Sequence, residues 1–193
     1  RRLGSMPVEE RYKRFKLTIE YFLSYPAQVT ACPFLDGTQC IIYENRFFGC
    51  RAYGLWSTQH YDQMAEHNRQ VKVSLGQQWR KLGISLPGNV LDFQVPYCLD
   101  VEVLNGAMVD DSKLVQMSHD IAALSARLSP WHRIFNRQYV ADLSFLAATM
   151  TYGLQSSLRM KVDIVRDLLT TTDRTRLDSI LMNIKNNPLP FGS

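Results

Sequence analysis

Apolar positions recur along this chain with two different periods, and the change between them falls near residue 105. From Glu9 to Leu23, the residues Tyr12, Phe15, Ile19 and Phe22 return at three- and four-residue steps, which predicts a surface helix with these side chains inward and its charges in solvent. The segments Val29 to Phe34, Thr38 to Tyr43 and Phe47 to Trp56 are instead rich in β-branched and aromatic residues. Asp36-Gly37 and Glu44-Asn45 lie between them as turns, and the pattern predicts an antiparallel meander. His60 to Arg69 is polar and reads as a short helix or loop. Val71 to Leu75 alternates like a strand, Gly76 to Asn89 reads as irregular, and Leu91 to Val95 returns to strand character. A further strand runs from Pro96 to Leu104, where Leu99, Val101 and Val103 alternate with Asp100 and Glu102, and Pro96 marks a bend or bulge before it.

After Asn105-Gly106 the period becomes helical. Asp110 or Asp111 can cap a long helix on which Leu114, Met117, Ile121, Leu124 and Leu128 form one apolar face. Three shorter helices follow, carried by Leu143, Leu146, Ala147 and Met150, then Leu158, Val162, Val165 and Leu169, then Leu177, Ile180, Leu181 and Ile184. The fold expected is α+β, with an antiparallel β-rich amino-terminal lobe packed on a carboxy-terminal four-helix lobe. Its boundaries are an amino-terminal extension and helix over 1–27, the β-rich lobe over 28–105 and the helical lobe over 106–193, the lobes belonging to one domain. The tail from Asn186 to Phe191, with two prolines, ends the last helix and runs extended.

Composition changes this picture little. Hydrophobic residues make up 46% of the 193 and charged ones 21%, the balance of a chain that can bury an ordinary core. No run of eighteen apolar residues exists, which argues against a transmembrane helix and leaves peripheral membrane contact open. The formal charge of +4 is too scattered for a nucleic-acid footprint, except for the basic helix residues Arg11, Lys13, Arg14 and Lys16. Arg1-Arg2-Leu3-Gly4-Ser5 matches the remainder of an organellar presequence, rich in Arg and Ser, so the expected location is intracellular, in mitochondria or otherwise the cytoplasm. Cys32, Cys40, Cys50 and Cys98 have neither paired zinc-knuckle spacing nor a CxxC element. Buried thiols are expected.

No local catalytic motif is present, and no phosphate loop, cofactor or metal is expected. His60 and His67, with Asp62 and Glu66 between them, lack the four-residue histidine spacing of a zinc helix and read as a solvated polar helix. Trp131, His132 and Arg133 follow Ser129-Pro130 in a loop between helices. Trp and Arg there are suited either to a binding hot spot or to capping the bundle core. Trp56, Trp79 and Tyr97 offer the same choice in the β-rich part, and His119 reads as a boundary residue of the long helix. Arg174 and Arg176 can pair with Asp173 or Asp178 on a solvated face.

The order of strand, long helix and short helices resembles the end of the Lon amino-terminal domain, the substrate-recognition module of Lon proteases and cereblon-like proteins. The strand from Pro96-Tyr97 to Val103-Leu104, the helix Asp111 to Leu128, the segment Ala141 to Ala148, Leu168-Leu169 and Arg176-Leu177 carry the likeness. Pro33-Phe34-Leu35-Asp36-Gly37 and Ile41 to Phe47 are similar to the family's Phe-Pro-Gly turn and the strand end that follows it. Asp36 stands in place of a Pro, and the helix from Glu9 to Leu23 is an addition. The resemblance implies a barrel-like β lobe on a small helical bundle, in a divergent member without the ATPase and protease domains. It implies a non-enzymatic protein-interaction module, acting as adaptor or accessory subunit of a multi-subunit complex; Trp56, Trp79, Tyr97, Trp131, His132 and Arg133, singled out by residue type and placement, are the candidate partner or ligand surface. The alternative is a small-molecule-binding protein or enzyme with a pocket between the lobes, near Trp56, Trp79, Tyr97 and His132.

Overall fold

A computed structural model describes residues 6–46, 48–94, 96, 110–128 and 143–184, and these are 71% helix and 3% strand. The β-rich, barrel-like lobe is therefore replaced by helices. Among the described residues the sheet consists of one hairpin, β1 (Leu35–Asp36) and β2 (Gln39–Cys40), paired Leu35 to Cys40 and Asp36 to Gln39. Gly37 turns it with a φ of +59°, a value that favours glycine, so the Asp36-Gly37 turn stands although the meander does not. Three segments that read as extended are helical in part or whole. Phe48–Ala52 is α2, Val71 to Leu75 lies inside α3 (Thr58–Lys81), and Leu91 ends the short α4 (Gly88–Leu91). The expected strand from residue 97 to 104 lies outside the described residues.

The reason is clearest in α3. Val71, Val73 and Leu75 alternate locally, but they sit in a run without proline, rich in Gln, Lys and Arg, and closed at its start by Ser57, whose side chain accepts from the His60 amide. The inward stripe is helical: Tyr61, Ala65, Lys72, Leu75, Gly76 and Trp79 are among the less exposed positions, and they fall on one face with spacings of three, four and seven residues. A two-residue alternation of five positions is too short to override that context.

The chain forms two compact units. The first gathers residues 1–45, 84–90 and 141–193, the second 46–83 and 91–140. In the first, α1 (Val8–Ser24) packs against α6 (Leu143–Tyr152), α7 (Leu154–Thr170) and α8 (Thr175–Asn183). Ile19, Leu23, Ile164, Val165, Leu177 and Ile184 are at most 1% exposed and form its core, each fully buried side chain contributing roughly 1.5–3 kcal/mol. α6 presents Ser144, Phe145, Ala147 and Ala148 inward and leaves Met150 exposed, a face rotated from the expected one. Its sequence is apolar on every side, so burial is decided by shape: Ala147 and Ala148 allow close approach, and Phe145 meets the Phe22 ring at 5.8 Å between centroids. Gly153, at φ +78°, reverses the chain between α6 and α7, and the buried Ser157 hydroxyl holds the corner by donating to the Ala148 carbonyl at 2.9 Å.

The second unit contains α2, α3 and α5 (Asp111–Leu128). The long helix thus falls in this unit, and the three shorter ones fall in the first. The side chain of Leu91 lies over Gly76 of α3, and the Lys72 ammonium lies 5.6 Å from the centre of the Phe93 ring.

Candidate functional site

The most structured polar feature of the second unit joins the first turns of α3 and α5. Asp110 caps α5, its carboxylate accepting from the Lys113 amide at 2.8 Å. That leaves the Asp111 carboxylate to reach across: it accepts from the Ser57 amide at 2.8 Å and from the Ser57 hydroxyl. The same hydroxyl oxygen accepts from the His60 amide at 3.1 Å, and the His60 ring lies stacked on Trp56, 4.2 Å between centroids and 14° between planes. Hydrogen bonds from the Ser57 side chain and backbone hold the Asp111 carboxyl below the usual carboxylate range, and those from Ser112 and Lys113 do the same for Asp110.

Ser57, His60 and Asp111 are residue types that elsewhere make a nucleophile, its base and an orienting acid. Here the hydroxyl proton points to the carboxylate, and the imidazole faces an indole ring. This grouping is the chemistry of a helix cap tied to a second helix.

From that corner α5 runs out with its apolar face uncovered. Leu114 is 2% exposed, but Met117, Ile121 and Leu124 are 49%, 43% and 57% exposed, so the expected burial of this face fails at these three members. The steps of three, four and three residues from Leu114 to Leu124 make a narrow seam of the kind that one helix offers another. On α3, Met64 and Val71 are seven residues apart and about half exposed, and Val73 is more so. The two helices do not pack side by side. Apolar residues scattered singly on a surface need no explanation, whereas a row of them along one helix does.

The residues singled out by sequence are dispersed. Trp56 is half-buried against His60, and Trp79 is 7% exposed, so its indole serves the interior and offers no binding surface. Tyr97, Trp131, His132, Arg133 and Cys98 lie outside the described residues, as does the Arg1 to Ser5 segment. The basic helix is not a continuous basic face. Lys13 is exposed, Arg11 and Lys16 are half-buried, and Arg14 is 3% exposed, contrary to the expectation that the charges of this helix face solvent. Arg14 donates to Glu10 at 2.6 Å and to the carbonyl oxygens of Leu35 at 2.6 Å and Pro33 at 3.3 Å, with Asp36 at 3.4 Å.

His67 and His119 are exposed, and among the described residues no group of three His, Cys, Asp or Glu side chains could hold a metal ion. The expected burial of the thiols does not hold for Cys32 and Cys50, which are exposed, or for Cys40, which is half-buried. Arg174 reaches Glu20 of α1 at 2.6 Å, with Asp178 more distant at 3.7 Å, and Arg176 joins Asp163 and Asp167 of α7 at 2.9 and 3.1 Å. These pairs tie helices together instead of lying on one solvated face. Sequence reasoning missed the Ser57 to Asp111 contact, which bridges 54 positions. The sole hint was two adjacent aspartates where one suffices as a cap.

The chain matches no protein-family model, no curated protein and no solved structure. Among the described residues no helix is long and apolar enough to cross a membrane.

Proposed function

We propose that this protein is a non-enzymatic interaction module, an adaptor or accessory subunit that docks a helix of a partner protein on α5. The observation that carries the reading is the uncovered row Met117, Ile121 and Leu124, set at seam spacing on a helix whose start is anchored by Asp110 and Asp111. A facing apolar helix would cover all three side chains, and a helix of eighteen residues tied down at its start has little conformational freedom to lose on docking. The reading rests on this face and not on the Lon-like pattern, because the β-rich lobe which that pattern implied is absent from the described residues.

The experiment is a native-size measurement in extract, comparing the wild-type chain with an Ile121→Asp, Leu124→Asp double variant. The expected result is a complex well above 22.2 kDa that the double variant fails to enter while keeping the wild-type melting temperature. A wild-type chain migrating alone at its own mass would refute the assignment.

A further inference from the structure

The order of charges along α5 bears on what covers its apolar face. Written as heptads, Ile121 takes the first core position, Met117 and Leu124 the second, and Leu128 continues the series in sequence. One flank of this seam carries Asp120 and, seven residues later, Arg127; the other carries Ser118 and Ser125. Asp120 is exposed and takes a hydrogen bond from the Gln116 side-chain amide at 2.8 Å. No residue three or four positions from Asp120 or Arg127 has the opposite charge, and seven residues of helix, about 10.5 Å, hold the two apart. The spacing of α5 therefore gives neither charge a counterion within the helix.

A second α5 laid antiparallel supplies both. Leu114 is buried within the chain, so the pairing uses residues from Met117 onward. The register that does so sets Ile121 against the copy's Leu124 and Met117 against the copy's Leu128, each twice by symmetry. In that register Asp120 meets the copy's Arg127, also twice, and Ser118 faces Ser125, both small enough for close approach. The next antiparallel register would need Leu114 and would set Asp120 on Asp120 and Lys113 on Arg127, while a parallel pair would leave Asp120 facing Ser125. We propose, resting on the docking reading given above, that the helix covering the α5 face is the α5 of a second copy of this chain, in a two-fold antiparallel pair held in register by Asp120 and Arg127.

The test is sedimentation equilibrium of the purified full chain at low ionic strength, from about 10 μM to about 1 mM. The wild type is expected to pass reversibly from monomer to dimer, half associated on the order of 100 μM, because four apolar layers make an interface well below standard size. Asp120→Arg and Arg127→Asp each set like charges opposite one another, and each should weaken the dimer about tenfold or more. The double variant Asp120→Arg, Arg127→Asp should restore it to within about threefold, which a role in helix folding alone would not do. Should a single variant melt at a lower temperature, recovery in the double variant still decides. The inference is overturned if the wild type stays monomeric throughout, if the single variants associate as it does, or if the double variant does not recover. A purified chain that stays monomeric while the complex in extract persists would put another protein's helix on α5, overturning the self-pairing and leaving the docking reading in place. An Ile121→Asp, Leu124→Asp variant that still dimerises would set the contact elsewhere and overturn it too.

Discussion

Lys161 reaches back 139 positions to Phe22: its ammonium donates to the Phe22 carbonyl oxygen at 2.5 Å and lies 4.2 Å from the centre of the same residue's ring. Phe22 is in the last turn of α1, where carbonyl groups lack intrahelical partners and the helix dipole is negative. α1 has Glu9 and Glu10 in its first turn but no basic residue of its own in the last, so α7 supplies the complementary charge. The Tyr25 ring, 5.5 Å away, adds a second aromatic face.

Replacing Lys161 with Met keeps the length of the side chain and removes the charge. The variant should lose about 2 kcal/mol, the scale of a charge-assisted hydrogen bond with a modest cation–π contribution, discounted because the site is only half-buried. Urea midpoints measure this. A loss below about 0.5 kcal/mol, the scale of an ordinary exposed pair, would show that the contact is a surface one.

Arg14 is the second long-range tie. It is nearly fully buried and has four acceptors on two elements: Glu10 one turn earlier, and Pro33, Leu35 and Asp36 at the hairpin. Arg14→Met leaves the Pro33 and Leu35 carbonyls without this donor, while Asp36, 67% exposed, returns to water at little cost. The expected loss is therefore about 2–3 kcal/mol, below the range for a fully buried pair. Amide exchange at Ile41, which donates to Phe34 across the hairpin, should quicken along with it. Arg14→Lys should recover only part, because one ammonium cannot span four separated acceptors.

The helix of α1 and the apolar stripe of α8 were legible in sequence because each has a single period over nine residues or more: Phe15, Ile19 and Phe22 are buried as their spacing requires, and so are Leu177, Leu181 and Ile184. Val71 to Leu75 and Phe47 to Trp56 misled because β-branched and aromatic content is a statement about the half-buried surface a residue fits, and a helix can also supply that surface. Arg14 misled for another reason. An arginine on an otherwise amphipathic helix reads as solvated, and only the return of the hairpin carbonyls to its guanidinium reveals it as interior. The uncovered face of α5 could not be read either: periodicity says which residues share a face, never whether something covers it.

Gly76 lies in the interior of α3, where glycine weakens a helix. An added Cβ would meet Leu91 Cδ1 and Cδ2 at 3.5 Å, ordinary contact distance, and the φ of Gly76 is not in the left-handed region. Gly76→Ala should therefore stabilise the chain by roughly 0.5–1 kcal/mol, through lower entropy of the unfolded chain and a small gain in contact. Gly37→Ala and Gly153→Ala are the controls. Both positions have positive φ and should lose stability although neither is crowded. Thermal melts of the three variants decide, and a destabilised Gly76→Ala would mean that Leu91 cannot accommodate a methyl group.

The Ser57 to Asp111 contact should appear as acid sensitivity. Because Ser57 donates twice to the ionised carboxyl, Asp111 in the folded protein titrates below its ordinary value, and folding and ionisation support one another. The resulting stability is whole above the ordinary carboxylate range and is lost as the pH falls below about 4 and through the lowered value, since the unfolded chain then takes up the proton first. Asp110, held by Ser112 and Lys113, and Asp173, held by Thr175, act in the same direction, so removing Asp111 should reduce the acid slope and not abolish it. Asp111→Asn is the direct test: urea midpoints between pH 6 and pH 2.5 should fall less steeply for the variant than for wild type. Ser57→Ala should reduce the slope as well and cost about 1 kcal/mol at every pH, because it also removes the α3 cap from the His60 amide. Parallel curves for wild type and Asp111→Asn would mean that the carboxylate gains nothing from Ser57, and the anchored start of α5 on which the docking face depends would lose its support.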